Sequence, residues 1–148
     1  MILSYCTEDL DFSYCSNEMQ FKCSFIKKAR NKDIFHSFLV ETEETVQGFP
    51  DVMYINKKTQ KASFEEFKFT KTGKIKFQPS QPAFYRKYNT LDVAIIAYNA
   101  FTNKVHCILP VELFDEESPY FMNDKAEVDL RKAEKLLREA EENESVNS

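Results

Sequence analysis

Two glycines, Gly48 and Gly73, punctuate 148 residues. A phosphate-cradling Gly-rich loop, a dinucleotide fingerprint and a G-x-S-x-G nucleophile elbow each need at least two glycines at close, fixed spacing. This chain has none of them, which excludes P-loop NTPases, Rossmann oxidoreductases and α/β-hydrolases. The length suits one domain, and a hydrophobic content of 43% is enough to give it a core. The longest uninterrupted apolar run, Val93 to Tyr98, falls far short of the roughly 20 residues of a membrane span. No membrane partner is expected. The N-terminal stretch carries acids where a secretory signal would carry bases, so the expected location is intracellular.

Cysteine and histidine narrow the chemistry further. Cys6, Cys15, Cys23 and Cys107 form no C-x-x-C pair, so neither a zinc ribbon nor a thioredoxin-like site is expected. The chain is long enough to fold without staples, and reduced thiols follow. His36 and His106 are the only histidines and cannot build a multi-histidine metal site. Each is expected to be a packing or surface residue.

The formal charge of −4 conceals a division along the chain. Residues 111–148 hold 12 acids against 5 bases, whereas residues 1–110 carry a net +3. Within the latter, Lys57 to Lys87 holds nine bases against Glu65 and Glu66, interleaved with Phe and Tyr. Such a stretch can hold a phosphate backbone, although a solvated lysine face has the same composition.

Periodicity predicts a helix over Ser16–Arg30, with Ser16 as its cap and Met19, Cys23 and Ile26 on its apolar face. Strands follow at Ile34–Val40, Val52–Ile55 and Ala62–Thr70, the last two joined as a hairpin through Asn56–Gln60. An acidic connection, Glu41–Glu44, and a Gly48-Phe49-Pro50 turn separate the first two strands. After a basic connection, Lys71–Lys76, a short helix is expected over Gln81–Tyr88 with Ser80 as cap and Pro82 in its first turn. Strands at Leu91–Tyr98 and Lys104–Leu109 come next. Asp124 caps a final helix, Lys125–Glu142, with an apolar stripe of Ala126, Leu130, Ala133, Leu137 and Ala140. That stripe packs on its own domain or makes a homodimer contact, and 143–148 should fray. The order implies one α/β or α+β domain around a mixed sheet.

One constellation carries chemistry. Asp51 follows the Gly-x-Pro turn at the mouth of a strand, and Glu66-Phe67-Lys68 lies inside the next strand. Alternation puts Glu66 and Lys68 on one face, roughly 7 Å apart along the strand, and turns Phe67, Phe69 and Glu65 away. Hairpin pairing would bring Asp51 toward Glu66. Two carboxylates and a backbone carbonyl, completed by waters, suit Mg²⁺ or Mn²⁺. Lys68 would position a water or stabilise charge on phosphorus. E-x-K alone is common in strands; the distinctive pattern is Gly-x-Pro-Asp, a hairpin, Glu-x-Lys and then a basic loop.

With these residues in place, the chain resembles the PD-(D/E)XK nuclease superfamily. The order Gly48-Phe49-Pro50-Asp51, Glu66-Phe67-Lys68, Gln81 and the apolar strand 92–98 is similar to its virus-type replication–repair (VRR-NUC) branch, close to phage Holliday-junction resolvases. The resemblance covers about residues 16–109. It implies a restriction-endonuclease-like core, metal binding by Asp51 and Glu66, and a catalytic Lys68. Gln81 matches a family glutamine beside the active site, and Glu18 a glutamate that can complete the metal site. The implied activity is Mg²⁺- or Mn²⁺-dependent cleavage of DNA, selective for branched or junction structure. Lys71, Lys74, Lys76, Arg86 and Lys87 would grip phosphates, and Phe77, Phe84 and Tyr85 would stack on bases or pack the core. An RNA endonuclease with the same metal site and a non-catalytic nucleic-acid-binding protein remain open alternatives.

Overall fold

In the computed structural model, which describes residues 10–40 and 47–147, the apolar run becomes a strand, Val93–Asn99, buried along its whole length. Seven consecutive buried residues require cover on both faces, because successive side chains of a strand point in opposite directions. The chain supplies it with α1 (Glu18–Ala29), β1 (Phe35–Leu39), β2 (Val52–Asn56), β3 (Ala62–Thr70), β4 (Lys74–Lys76) and α2 (Ser80–Lys87) before β5 (Val93–Asn99). After it come β6 (Lys104–Ile108), a 3-10 turn (Pro110–Phe114), β7 (Glu127–Asp129) and α3 (Leu130–Asn147). The fold is a single mixed α+β domain. Its main sheet has the order β1-β2-β3-β5-β6, in which β3 and β5 are parallel and the other pairs antiparallel.

The two faces of β5 sort the core into two layers. Ala94, Ile96 and Tyr98 join Phe21 and Phe25 of α1, together with Phe12, Val52, Tyr54 and Phe67. Phe21 stacks on Tyr98 with ring centres 5.3 Å apart. Val93, Ile95 and Ala97 look the other way, toward Phe64, Phe77, Phe84, Tyr85 and Leu113. On that side a small β4–β7 sheet brings Ile75 and Val128 into the core, and α3 adds Leu130 and Ala133.

Several expectations shift. The cap of α1 is Asn17, whose side chain accepts from the Gln20 N–H, rather than Ser16, whose own N–H and hydroxyl both turn to Gln20 Oε1. Its buried face is Phe21 and Phe25, while Met19 and Cys23 are exposed: two large rings outweigh the smaller apolar set. Ser80 does not cap α2; Pro79 takes the cap position and no side chain caps the helix. The last helix begins five residues late, at Leu130. Residues 127–129 pair instead with the basic connection as β7 against β4, and Asp129, not Asp124, accepts from the Arg131 and Lys132 N–H groups. The helix continues to Asn147, and its stripe is buried only at Leu130 and Ala133, with Leu137 and Ala140 exposed. The segment Glu41–Glu44 and Cys6 lie outside the described residues.

Gly48 fixes the path into β2. Its φ is +87°, and a Cβ there would stand 2.2 Å from the Ser80 carbonyl oxygen at the start of α2. A residue without a side chain is therefore needed for the turn before Asp51 to close against α2. Gly48→Ala should cost at least about 2 kcal/mol in urea unfolding. An unchanged midpoint would show that the turn and α2 are not locked together.

Candidate active site

Hairpin register places Val52 opposite Glu65, so Asp51 sits just beyond the ladder at the level of Glu66. The Asp51 N–H donates to Glu66 Oε2 at 3.2 Å, and Asp51 Oδ2 accepts from the Phe67 N–H at 3.2 Å. These reciprocal bonds hold both carboxyl groups at the mouth of β2. Asp51 Oδ1 has no hydrogen-bond partner among the described residues.

Alternation along β3 does the rest. Glu66 is 4% exposed, on the same face as Phe64 and Lys68. Gln81, in the first turn of α2, joins these residues: its Nε2 donates to Glu66 Oε1 at 2.6 Å, and its Oε1 accepts from Lys68 Nζ at 3.0 Å. The Gln78 N–H also donates to that oxygen, at 2.9 Å, which settles the orientation of the amide. Lys68 Nζ lies 3.9 Å from Glu66 Oε1 and 5.0 Å from the centre of the Phe77 ring. An open cleft of about 310 Å³ adjoins Asp51, Glu66 and Gln81, walled by the 47–49 turn and Ser80.

Burial first, and the neighbouring Asp51 carboxylate second, push the Glu66 carboxyl up to about 8, against the opposing pull of Lys68. Glu18 is largely exposed, yet partial burial raises its carboxyl too, with Lys68 opposing and Asp51 reinforcing the shift. Glu18 thus stands within electrostatic reach of the pair. It does not join them as a ligand set: among the described residues, no three His, Cys, Asp or Glu side chains converge tightly enough to hold a metal ion. The donors that do converge are the two carboxyl groups of Asp51 and Glu66. Their hard oxygens, with an unpartnered Asp51 Oδ1 facing a cleft open to water, fit Mg²⁺ or Mn²⁺, ions that keep several waters when bound. Asp51, Glu66 and Glu18 against Lys68 and Lys22 leave a formal excess of negative charge when all are ionised, which a divalent cation would offset.

Glu65 turns to the opposite layer, where it is fully buried and paired with Arg30 from the end of α1. Arg30 also lies over the Tyr54 ring, 4.6 Å from its centre. Of the expected phosphate-binding residues, Lys71, Lys74, Lys76, Arg86 and Lys87 are all exposed. Lys74, however, opens onto a crevice whose other walls carry Glu116, Glu117, Glu127 and Asp129. The β4–β7 pairing that creates this acidic neighbourhood has no periodic signature in three-residue strands. Phe77, Phe84 and Tyr85 are buried core residues, so none is a free stacking platform.

No family model matches the chain, and no curated protein matches it significantly.

The Glu66 carboxyl has a stability consequence. Without metal, the folded state keeps a proton that the unfolded chain releases above the ordinary carboxyl range. Folding stability therefore falls as pH rises from about 4.5 toward about 8. Glu66→Gln, which cannot ionise, should flatten the decline in melting temperature between pH 5 and pH 8. At pH 8, Mn²⁺ should raise the wild-type melting temperature and leave that of Glu66→Gln unchanged. An equal response in both proteins would remove Glu66 from the metal set.

Proposed function

We propose that this protein is a Mg²⁺- or Mn²⁺-dependent endonuclease that hydrolyses DNA phosphodiester bonds and selects structure rather than sequence. The observation that carries this reading is the convergence of Asp51, Glu66, Lys68 and Gln81, from a turn, a central strand and a helix, beside one open cleft. Three segments, in contact across 13 to 15 residues, meet in an arrangement suited to phosphoryl transfer: an oxygen-rich cation site next to a held ammonium group. Asp51 and Glu66 would hold the ion, which when bound supplies Lewis-acid stabilisation of a phosphoryl oxygen and a more acidic water.

The chain's own residues do the rest. Lys68, held beside Glu66 by Gln81, would offer N–H donors to the negative charge that grows on the phosphate as water attacks. Gln81 accepts from Lys68 and donates to Glu66, so it fixes the ammonium and the carboxylate relative to each other with one rigid amide. Asp51, bonded to the Phe67 N–H, keeps one oxygen for the cation and one for the strand. The exposed Lys71, Lys76, Arg86 and Lys87 would offer phosphate contacts that carry no base code, consistent with recognition by shape.

Asp51→Ala and Glu66→Ala should abolish cleavage of plasmid and four-way-junction DNA in Mg²⁺ or Mn²⁺ while the fold persists. Lys68→Ala should lower the single-turnover rate about a hundredfold or more and leave substrate affinity within a few-fold. Normal turnover in either carboxylate variant, or a Lys68 loss confined to binding, would overturn the assignment. An RNA substrate in the same assay tests the alternative polymer.

The basic loop yields a separate expectation. Each phosphate neutralised contributes about −0.9 to the slope of log K against log salt on duplex DNA. Replacing Lys71 and Lys76 together should flatten that slope by up to about 2 units, with Lys74→Ala adding little because acids already surround it. A double variant with wild-type salt dependence would move the DNA path off this edge.

A further inference from the structure

A second cavity, of about 570 Å³, lies between the C-terminal half of α2, the start of β5 and the 3-10 turn. Its size falls in the range of about 300–1,000 Å³ typical of small-ligand sites. The walls are mostly apolar and are built from Tyr88, Leu91, Leu109, Val111 and Phe114, the first four of them exposed.

The cavity is not purely greasy. Tyr85 contributes part of its ring to the wall, while its hydroxyl is sealed from solvent and lies in the field of Glu66 and Asp51. Asn89 and Asp92 add an amide and a carboxylate to the lining. Arg86 lies across Phe114, its guanidinium 4.2 Å from the ring centre, and the Lys87 ammonium stands 5.4 Å from that of Tyr88. Aromatic faces backed by cations, with donors and acceptors along the wall, match a flat heterocycle carried on a phosphate chain.

Position narrows the occupant further. Gln81, which touches Glu66, and Tyr85, which lines the cavity, are one turn apart on α2. At 1.5 Å per residue, Gln81 to Tyr88 spans about 10 Å. That is about three nucleotides at 3.4 Å each along a strand. A strand with a phosphate at the cleft needs only a few nucleotides to reach the cavity.

We propose that this cavity receives an unpaired nucleobase of the DNA strand, stacked on its aromatic wall with its polar edge toward Asn89 and Asp92. The identity of the strand rests on the nuclease reading above. A base paired within a duplex cannot enter, because its edge and faces are already engaged. The cavity thereby gives the protein a preference for DNA with unpaired bases near the cleavage position, which is a physical source of structure selectivity.

The test compares affinities for a single-stranded oligonucleotide and the corresponding duplex by fluorescence anisotropy in EDTA, with 2-aminopurine placed along the single strand. Wild-type protein should prefer the single strand by about 5- to 150-fold, the range expected from stacking of one base. It should also change 2-aminopurine fluorescence at a defined position. Val111→Asp and Leu91→Asp, both at exposed rim positions, should bring the affinity ratio close to one and abolish the fluorescence change. Phe101→Asp, an equivalent change at an exposed site outside the cavity, should leave both as in wild type. Asn89→Ala, which removes the exposed amide from the wall, should alter the ranking among homopolymers of the four bases. Absence of a single-strand preference in wild type, or its survival in both rim variants, overturns the proposal. Cleavage assays in Mg²⁺ and Mn²⁺ separate the two readings. Rim variants that erase the preference while no substrate is cut retain the cavity and remove the nuclease. Asp51-dependent cleavage with silent rim variants retains the nuclease and removes the cavity.

Discussion

Strand β3 buries two consecutive glutamates, one into each layer of the core, and much of the surrounding structure answers that fact. Removing a carboxylate from water costs several kcal/mol unless partners replace the lost hydration. Glu65 receives Arg30, which also covers Tyr54 and thereby ties the end of α1 to β2. Glu66 receives the Asp51 N–H and the Gln81 amide, with Lys68 close by. Those contacts pin the turn before β2 and the first turn of α2 to one point on the sheet. The parallel β3–β5 pair requires a crossover between its strands, and α2 is part of that crossover. The connection demanded by topology thus also delivers Gln81 to the site.

The outer layer is organised by a different polar group. Glu134 of α3 is 8% exposed and accepts from Asn99 Nδ2 at 2.9 Å and from the Thr102 hydroxyl at 2.5 Å. His106 lies between Glu134 and Tyr120, 3.3 Å and 2.9 Å away. Burial lowers the His106 pKa while Glu134 opposes the shift. This network ties α3 to the ends of β5 and β6 where its apolar stripe is too short to do so alone. Only Leu130 and Ala133 of that stripe reach the core, so polar contacts carry the register of the helix.

The inner framework was readable wherever periodicity and length agreed. β3 runs over the predicted residues, the hairpin through 56–60 forms, and β5 is the buried strand that its apolar run implies. The approach of Asp51 to Glu66 follows from hairpin pairing, and the turning away of Glu65 from alternation. Gln81 bonds to both Glu66 and Lys68. What eluded the sequence has physical reasons. Strands β4 and β7 have three residues each, too few to show a period, and their pairing displaces the start of α3. Asn17 competes with Ser16 for the same cap, and both types are good caps. The apolar cavity at the end of α2 joins segments 85–93 and 109–114, which no local pattern relates. Its one sequence signal was the density of aromatics beside Arg86 and Lys87.

The two glutamates of β3 also separate structure from chemistry. Glu65 faces an arginine, and the pair sits in an otherwise apolar and aromatic layer, as a structural ion pair does. Glu66 faces a second acid, Asp51, with Glu18 beyond it, and Lys68 and Lys22 do not balance the three carboxyl groups. Packing alone would favour an apolar residue at Glu66, since replacing buried charge with well-fitted hydrophobic groups is often neutral or stabilising. Nor would packing place an acid-rich cluster beside a cleft open to water. Under the proposed nuclease reading, a divalent cation would answer the excess negative charge, because the Asp51 repulsion that adds to burial in raising the Glu66 carboxyl would become attraction for the ion. On that reading Glu65 belongs to the fold and Glu66 to the proposed reaction, although they are neighbours on one strand and almost equally buried.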